Sequence, residues 1–137
     1  MRFPFISATA QKGEGSLMPF LPILLQHQGR ETNTYALLDT GASVNVMPFS
    51  IGLHLGFVWE QQTIPLKLSG NLALVEARAL FVNAIVEGCA PVSLAFAWTR
   101  ADNIPVLLGQ TNFFMEFDVL FARSARFFEI LPKGNLV

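Results

Sequence analysis

The chain has 137 residues, room for one domain of ordinary size, and with 52% apolar and 14% charged residues it is neither a disordered chain nor a solvated tail. Nine Lys plus Arg against ten Asp plus Glu give a formal charge of -1 with no long run of either sign, which argues against a nucleic-acid partner. Mean hydropathy is +0.45, yet the longest apolar stretch, Leu17 to Leu25, is broken by Pro19 and Pro22 and falls well short of the roughly 20 residues a bilayer helix needs, so no membrane partner is expected.

The opening MRFPFISATAQKGEGS has one Arg and no continuous apolar run, which argues against a secretory signal. Arg2 to Ser7 reads as a strand and Gln11 to Ser16 as a polar, Gly-rich mobile connection, dividing residues 1–16 from a domain at 17–137. Pro19 to Gln28 and Thr32 to Leu38, around Gly29-Arg30-Glu31, form a hairpin pattern whose second strand runs straight into Asp39-Thr40-Gly41. Pro48 to Leu55 holds a short helical turn. Ile64 to Leu68 and Leu72 to Val86 read as a second hairpin around Ser69-Gly70-Asn71, followed by a strand at Val92 to Trp98 and a short apolar one at Ile104 to Leu108. Phe113, Phe114 and Phe117 stand at helical spacing within Gln110 to Phe117, and strands resume at Asp118 to Phe121 and Phe127 to Leu131. The fold class is therefore mainly β with one short C-terminal helix, and the strand spacing suits a barrel or sandwich rather than βαβ units.

Chemically active side chains are few. Two His without zinc spacing predict surface or half-buried histidines, and no metal or other cofactor is expected. Cys89, the single cysteine, reads as a small hydrophobe; it excludes an intrachain disulfide and points to a reducing cytoplasm. The apolar excess points to an oligomer. One segment stands apart: Ala36-Leu37-Leu38-Asp39-Thr40-Gly41-Ala42-Ser43 sets a carboxylate at a strand end, followed by a hydroxyl and a Gly that permits close backbone approach. The bland alternative is an Asp in a β-turn held by its own backbone.

The string ALLDTGASVNVMP resembles the active-site segment of retropepsin-like aspartic proteases. Val106-Leu107-Leu108-Gly109, followed by an expected helix, is similar to the apolar-apolar-Gly segment that packs under the catalytic loop in that family. FFMEFDVLFARSARFFEIL also resembles the C-terminal part of bacterial members. The resemblance implies an acid-protease barrel with one lobe per chain, and a flap hairpin at Leu66 to Leu80 with Ser69, Gly70 and Asn71 at its tip. An ordinary surface hairpin is the alternative for that segment.

Hydrolysing a peptide without metal or covalent nucleophile needs one group to take a proton from water and another to give one to the carbonyl oxygen. Two carboxyls about 3 Å apart share one proton and do both. The motif occurs once here, and Asp102 and Asp118 lie in unrelated contexts, so the second carboxyl is expected from Asp39 of another copy across a two-fold axis. The resemblance then gives Asp39 the catalytic role, Thr40 a bond across the dimer, and Gly41 a close approach to substrate, with Ala42 and Ser43 completing the active-site loop. Viral members often pair an acid at the position of Ser43 with an Arg at that of Gln110; both are neutral here. Val44, Val46, Leu107 and Leu108 are expected to line apolar substrate pockets. The N-terminal strand and Phe127 to Val137 are expected to form interface β structure. The function implied is an aspartic endopeptidase, a homodimer acting on extended peptide or protein substrates. The alternatives are a catalytically inactive dimerisation or protein-binding module of the same fold, and a monomer in which Asp39 is purely structural.

Overall fold

The computed structural model describes residues 1–7 and 16–134, so most of the expected mobile connection, Gln11 to Gly15, lies outside the described residues. Strand β1 (Arg2–Pro4) and strand β2 (Ile6–Ser7) replace the single strand expected at Arg2 to Ser7, and β2 pairs with β3 (Leu17–Met18). In β4 (Phe20–His27), Leu21, Ile23 and Leu25 are buried and alternate with Pro22, Leu24 and Gln26, the period of a half-buried strand. Pro22 lies before the stretch where β4 gains a second neighbour, so its missing N–H costs no ladder bond there. Gln28 and Gly29, with φ of 47° and 81°, turn the chain into β5 (Arg30–Leu38). Two positive φ values match the twist of a tight hairpin, and the turn falls earlier than Gly29-Arg30-Glu31 because Arg30 and Glu31 already pair with His27 and Gln26.

The remaining barrel strands are β6 (Asn45–Met47), β8 (Ala77–Ile85), β9 (Val92–Thr99) and β10 (Val106–Leu108). Six strands close in the order β4-β5-β10-β6-β9-β8, the circle being shut where Leu24, Leu25 and Gln26 of β4 meet Ile85, Ala84 and Asn83 of β8. Closure removes the sheet edges that would otherwise template association. Two pairings are parallel: β10 beside β5, in register Val106↔Ala36 to Leu108↔Leu38, and β6 beside β9.

The second expected hairpin is shorter than its sequence pattern. Strand β7 (Pro65–Leu66) pairs only with Arg78 and Ala77, and β8 begins at Ala77 rather than Leu72. Between them Gly70–Leu72 form one 3-10 turn. The alternating residues before Ala77 find no partner strand, so apolar spacing alone does not extend the ladder.

Helix α1 (Phe49–His54) lies within the turn expected at Pro48 to Leu55, and α2 (Phe113–Glu116) within the expected Gln110 to Phe117. The buried Trp98 stacks on Phe49 at 5.3 Å, meets Trp59 edge-on and donates its indole N–H to the Phe49 carbonyl at 3.1 Å. Gly52 of α1 lies flat on the same indole, which occupies the space a Cβ would need.

Strands β11 (Phe117–Ala122) and β12 (Phe127–Pro132), joined by a 3-10 turn at Arg123–Ala125, make a second sheet in the order β1-β12-β11. The two chain ends expected to form interface strands thus pair with each other inside one chain, Phe3 opposite Phe128. Phe3, Phe5, Phe113, Phe117 and Phe128 join the main core, which joins this sheet to the barrel.

On an exposed helix Gly→Ala gains roughly 1 kcal/mol. At Gly52 the sign should reverse: Gly52→Ala is expected to lose about 1–3 kcal/mol by driving a methyl into Trp98, measured as a lower urea midpoint.

Candidate active site

Strand β5 delivers Asp39 to a loop that folds back on itself. The Asp39 N–H donates to the Leu108 carbonyl at 2.9 Å, anchoring the loop's start on β10. The Asp39 carboxylate accepts the Gly41 N–H at 2.9 Å and the Asp39 carbonyl accepts the Ala42 N–H at 3.0 Å, the local turn its residue types favour. Asp39 is partly exposed and lines a cleft of about 360 Å³.

That cleft brings together Asp39, Gly41, Ala42, Ser43, Val44, Val46, Ser69, Gly70 and Leu107. Leu68, Leu72, Ile104 and Pro105 complete its wall, and these four were not singled out in the sequence. The apolar floor is a second small cluster of Val46, Leu68, Ala77 and Ala97, separate from the main core. Leu108 faces the other way. It is fully buried in the main core, because adjacent strand residues point to opposite sides; Leu107 can line the cleft only if Leu108 does not. Val44 and Val46, two residues apart, share the cleft side. Thr40 is exposed beside the Asp39 turn, and Asn71 falls within the 3-10 turn above the cleft.

The loop rests on the run after β10. Gly109 passes so close beneath it that a Cβ there would stand 2.6 Å from the Val44 carbonyl and 2.7 Å from that of Ala42. Gln110 N–H donates to the Ala42 carbonyl and Thr111 N–H to that of Ser43, both at 2.9 Å, while Asn45 N–H donates to the Thr111 carbonyl at 3.2 Å. The Gln110 side-chain amide adds a bond of 2.9 Å to the Thr40 carbonyl.

Beneath these lies a group that the pattern reading missed. Asn45, 0% exposed, accepts the Gly109 N–H at 2.8 Å and donates to the Ala95 carbonyl at 3.0 Å and to the Asn112 side-chain oxygen at 3.1 Å. That oxygen also accepts the Ala95 N–H at 3.2 Å. The available signal was a lone Asn inside the apolar run Val44 to Met47, since a polar residue in a buried strand must find partners.

The other candidates are occupied elsewhere. Asp102 accepts the Ser50 N–H at 2.8 Å in the first turn of α1, and Asp118 accepts the Gly134 N–H at 3.0 Å. His27 stacks on Phe57 at 4.1 Å, and His54 is exposed on α1. Burial raises the Cys89 thiol pKa above its usual value, with the N-terminal ammonium opposing, so it stays protonated and a poor nucleophile. Among the described residues no three His, Cys, Asp or Glu converge on a metal position.

No sequence-family model matches the chain, and no curated protein matches it in sequence. Solved structures do match in fold. A retropepsin-like aspartic protease from Rickettsia conorii superposes with a TM-score of 0.61 at 13% identity, covering 96% of this chain and 98% of its own. The retroviral protease-like domain of Ddi1 from Leishmania major gives 0.54 at 12%, over 87% and 98%. The EIAV protease, complexed with an inhibitor, gives 0.50 at 21%, over 77% and 88%. The chain has a retropepsin-like fold, as its DTG and LLG segments implied.

The amide of Asn45 predicts its own test. Asn45→Leu keeps the branching at Cγ but leaves the Gly109 N–H, the Ala95 carbonyl and the Asn112 oxygen without that partner. A loss of about 2–4 kcal/mol is expected in urea unfolding, larger than for an exposed Asn.

Proposed function

We propose that the protein is an aspartic endopeptidase that works as a homodimer, each copy contributing Asp39 to one shared site. The observation that carries this reading is a carboxylate at a strand end in a cleft walled largely by apolar residues, with no second carboxylate lining it among the described residues. Asp102 and Asp118 are committed to backbone N–H groups outside the cleft, which leaves a second copy as the source of the partner acid. The retropepsin-like fold supports the same reading.

In the dimer the two carboxyls hold one proton between them. The ionised one takes a proton from a bound water whose oxygen attacks the scissile carbonyl carbon, while the protonated one gives its proton to the carbonyl oxygen. The resulting tetrahedral diol collapses as the protonated carboxyl gives its proton to the amide nitrogen, the ionised one takes the proton of a diol hydroxyl, and the C–N bond breaks to leave an acid and an amine with one proton again on the pair. Gly41 leaves room for the substrate backbone, and Val44, Val46 and Leu107 favour apolar side chains near the cut. The segment carrying Ser69 and Gly70 lines the cleft, and its closure over a bound peptide would exclude water. The lone Cys89 fits a reducing cytoplasm, and among the described residues no helix is long and apolar enough to cross a membrane.

Wild type is expected to cleave an unfolded-peptide library at apolar positions, with pepstatin inhibiting. Asp39→Asn should reduce cleavage on the order of 10²–10⁴-fold without unfolding the protein. The sedimentation mass of active protein should be twice 15.1 kDa. Equal cleavage by wild type and Asp39→Asn would remove the enzyme and leave a binding module of the same fold.

A further inference from the structure

The geometry points to Gln110 as a positioning residue: its side-chain amide latches the Thr40–Gly41 peptide, and through it sets the direction of the Asp39 carboxylate. The inference rests on the proposed protease reading for its catalytic consequence, but the latch itself is a contact of this chain.

Gln110 grips the loop at two points. Its main-chain N–H donates to the Ala42 carbonyl and its side-chain amide to the Thr40 carbonyl, each at 2.9 Å. These two carbonyls bracket Gly41, the residue whose N–H is bonded to the Asp39 carboxylate at 2.9 Å. The Thr40 carbonyl and the Gly41 N–H belong to one planar peptide unit, so fixing the first fixes the direction of the second. The Gln110 amide, the shared peptide and the Asp39 carboxylate therefore form a continuous hydrogen-bonded line. Among the described residues the Gln110 amide is the donor to the Thr40 carbonyl, and Gly41 brings no side chain to pack.

The bond is solvent-exposed, so its share of global stability is small, and Asn45 already secures Gly109 beneath. Its effect on orientation is different in kind. Catalytic groups misplaced by about 1 Å lose on the order of 10²-fold in rate. Gln110 thus separates two properties that usually move together: it matters little to whether the chain folds and much to where the carboxylate points. Because donor and acceptor are both uncharged, the latch holds at any pH or salt at which the fold holds.

Gln110→Met, nearly isosteric and without a donor, and Gln110→Arg, which keeps an N–H at that reach, make the test. In the Met variant kcat should fall ~10- to 100-fold with KM within twofold, an unchanged sedimentation mass and an unchanged Tm. The Arg variant should recover most of the loss. Amide exchange at Gly41 should speed up in the Met variant while that of Gly109 does not change. A Met variant with wild-type kcat and unchanged Gly41 exchange overturns the latch, as does a loss of activity that merely follows a loss of dimer. The exchange measurement is independent of catalysis. Should wild type show no Asp39-dependent cleavage, the protease reading fails, and faster Gly41 exchange in the Met variant would still support the latch while unchanged exchange would overturn it.

Discussion

One buried side chain ties the Asp39 loop to the barrel. Asn45 sits where β6, β9 and the end of β10 converge, and its amide and carbonyl satisfy groups on β9, on Gly109 and on Asn112. A hydrophobic residue there would pack, but it would leave the Gly109 N–H pointing into an apolar interior at a cost of about 1–3 kcal/mol. Gly109 must lie where it does because any side chain would collide with the carbonyls of Ala42 and Val44. The close approach of two irregular segments is thus possible only because Asn45 supplies the partner that a regular ladder would have supplied. Everything above it, the Ala42, Ser43 and Thr111 bonds and the Gln110 amide, builds on that fixed separation.

Much of this was legible in the residues. Alternation in Phe20 to Gln26 marks the barrel wall, Asp39-Thr40-Gly41 at the end of Thr32 to Leu38 marks the loop, and Leu107-Leu108-Gly109 marks what lies under it. What misled was treating neighbours alike. Leu107 and Leu108 have the same side chain, but a strand sends them to opposite faces, so only one reaches the cleft. Leu72 to Glu76 carry a strand-like pattern but no strand lies within reach to receive it, a tertiary fact with no local signature. Asn45 is the converse case. Its composition was visible, but its partners come from segments 50 and 67 residues away along the chain.

The distribution of carboxylates follows the same logic. Each of the three aspartates accepts a backbone N–H, a strong use of an anion when the amide would otherwise lack a partner. Asp102 does so for helix α1 and Asp118 for the tail near Gly134, and both thereby serve the fold. Of the three, Asp39 is the one that lines the cleft, with one carboxylate oxygen bonded to the Gly41 N–H. A neutral surround of Ser43 and Gln110 replaces the charged pair implied by the viral resemblance, so Asp39 is the one formal charge lining the cleft among the described residues.

The segment that lines the cleft with Leu68, Ser69, Gly70 and Leu72 divides into a held base and a sparsely bonded end. At its base, Ala79 N–H donates to the Ile64 carbonyl at 2.9 Å, and Arg78 both donates to the Trp59 carbonyl at 2.6 Å and lies over the Trp59 ring at 4.3 Å. Trp59 is itself packed on Trp98, the residue on which α1 rests, so the base is continuous with the main core. Beyond Leu66 the ladder ends, and the chain runs through one 3-10 turn to Leu74, which is fully exposed. Motion in folded chains is concentrated where buried contacts and paired backbone are fewest. An anchored base with a sparsely bonded end beside the cleft concentrates mobility in the part of the segment that reaches the cleft through Ser69, Gly70 and Leu72, while its attachment stays fixed to the core.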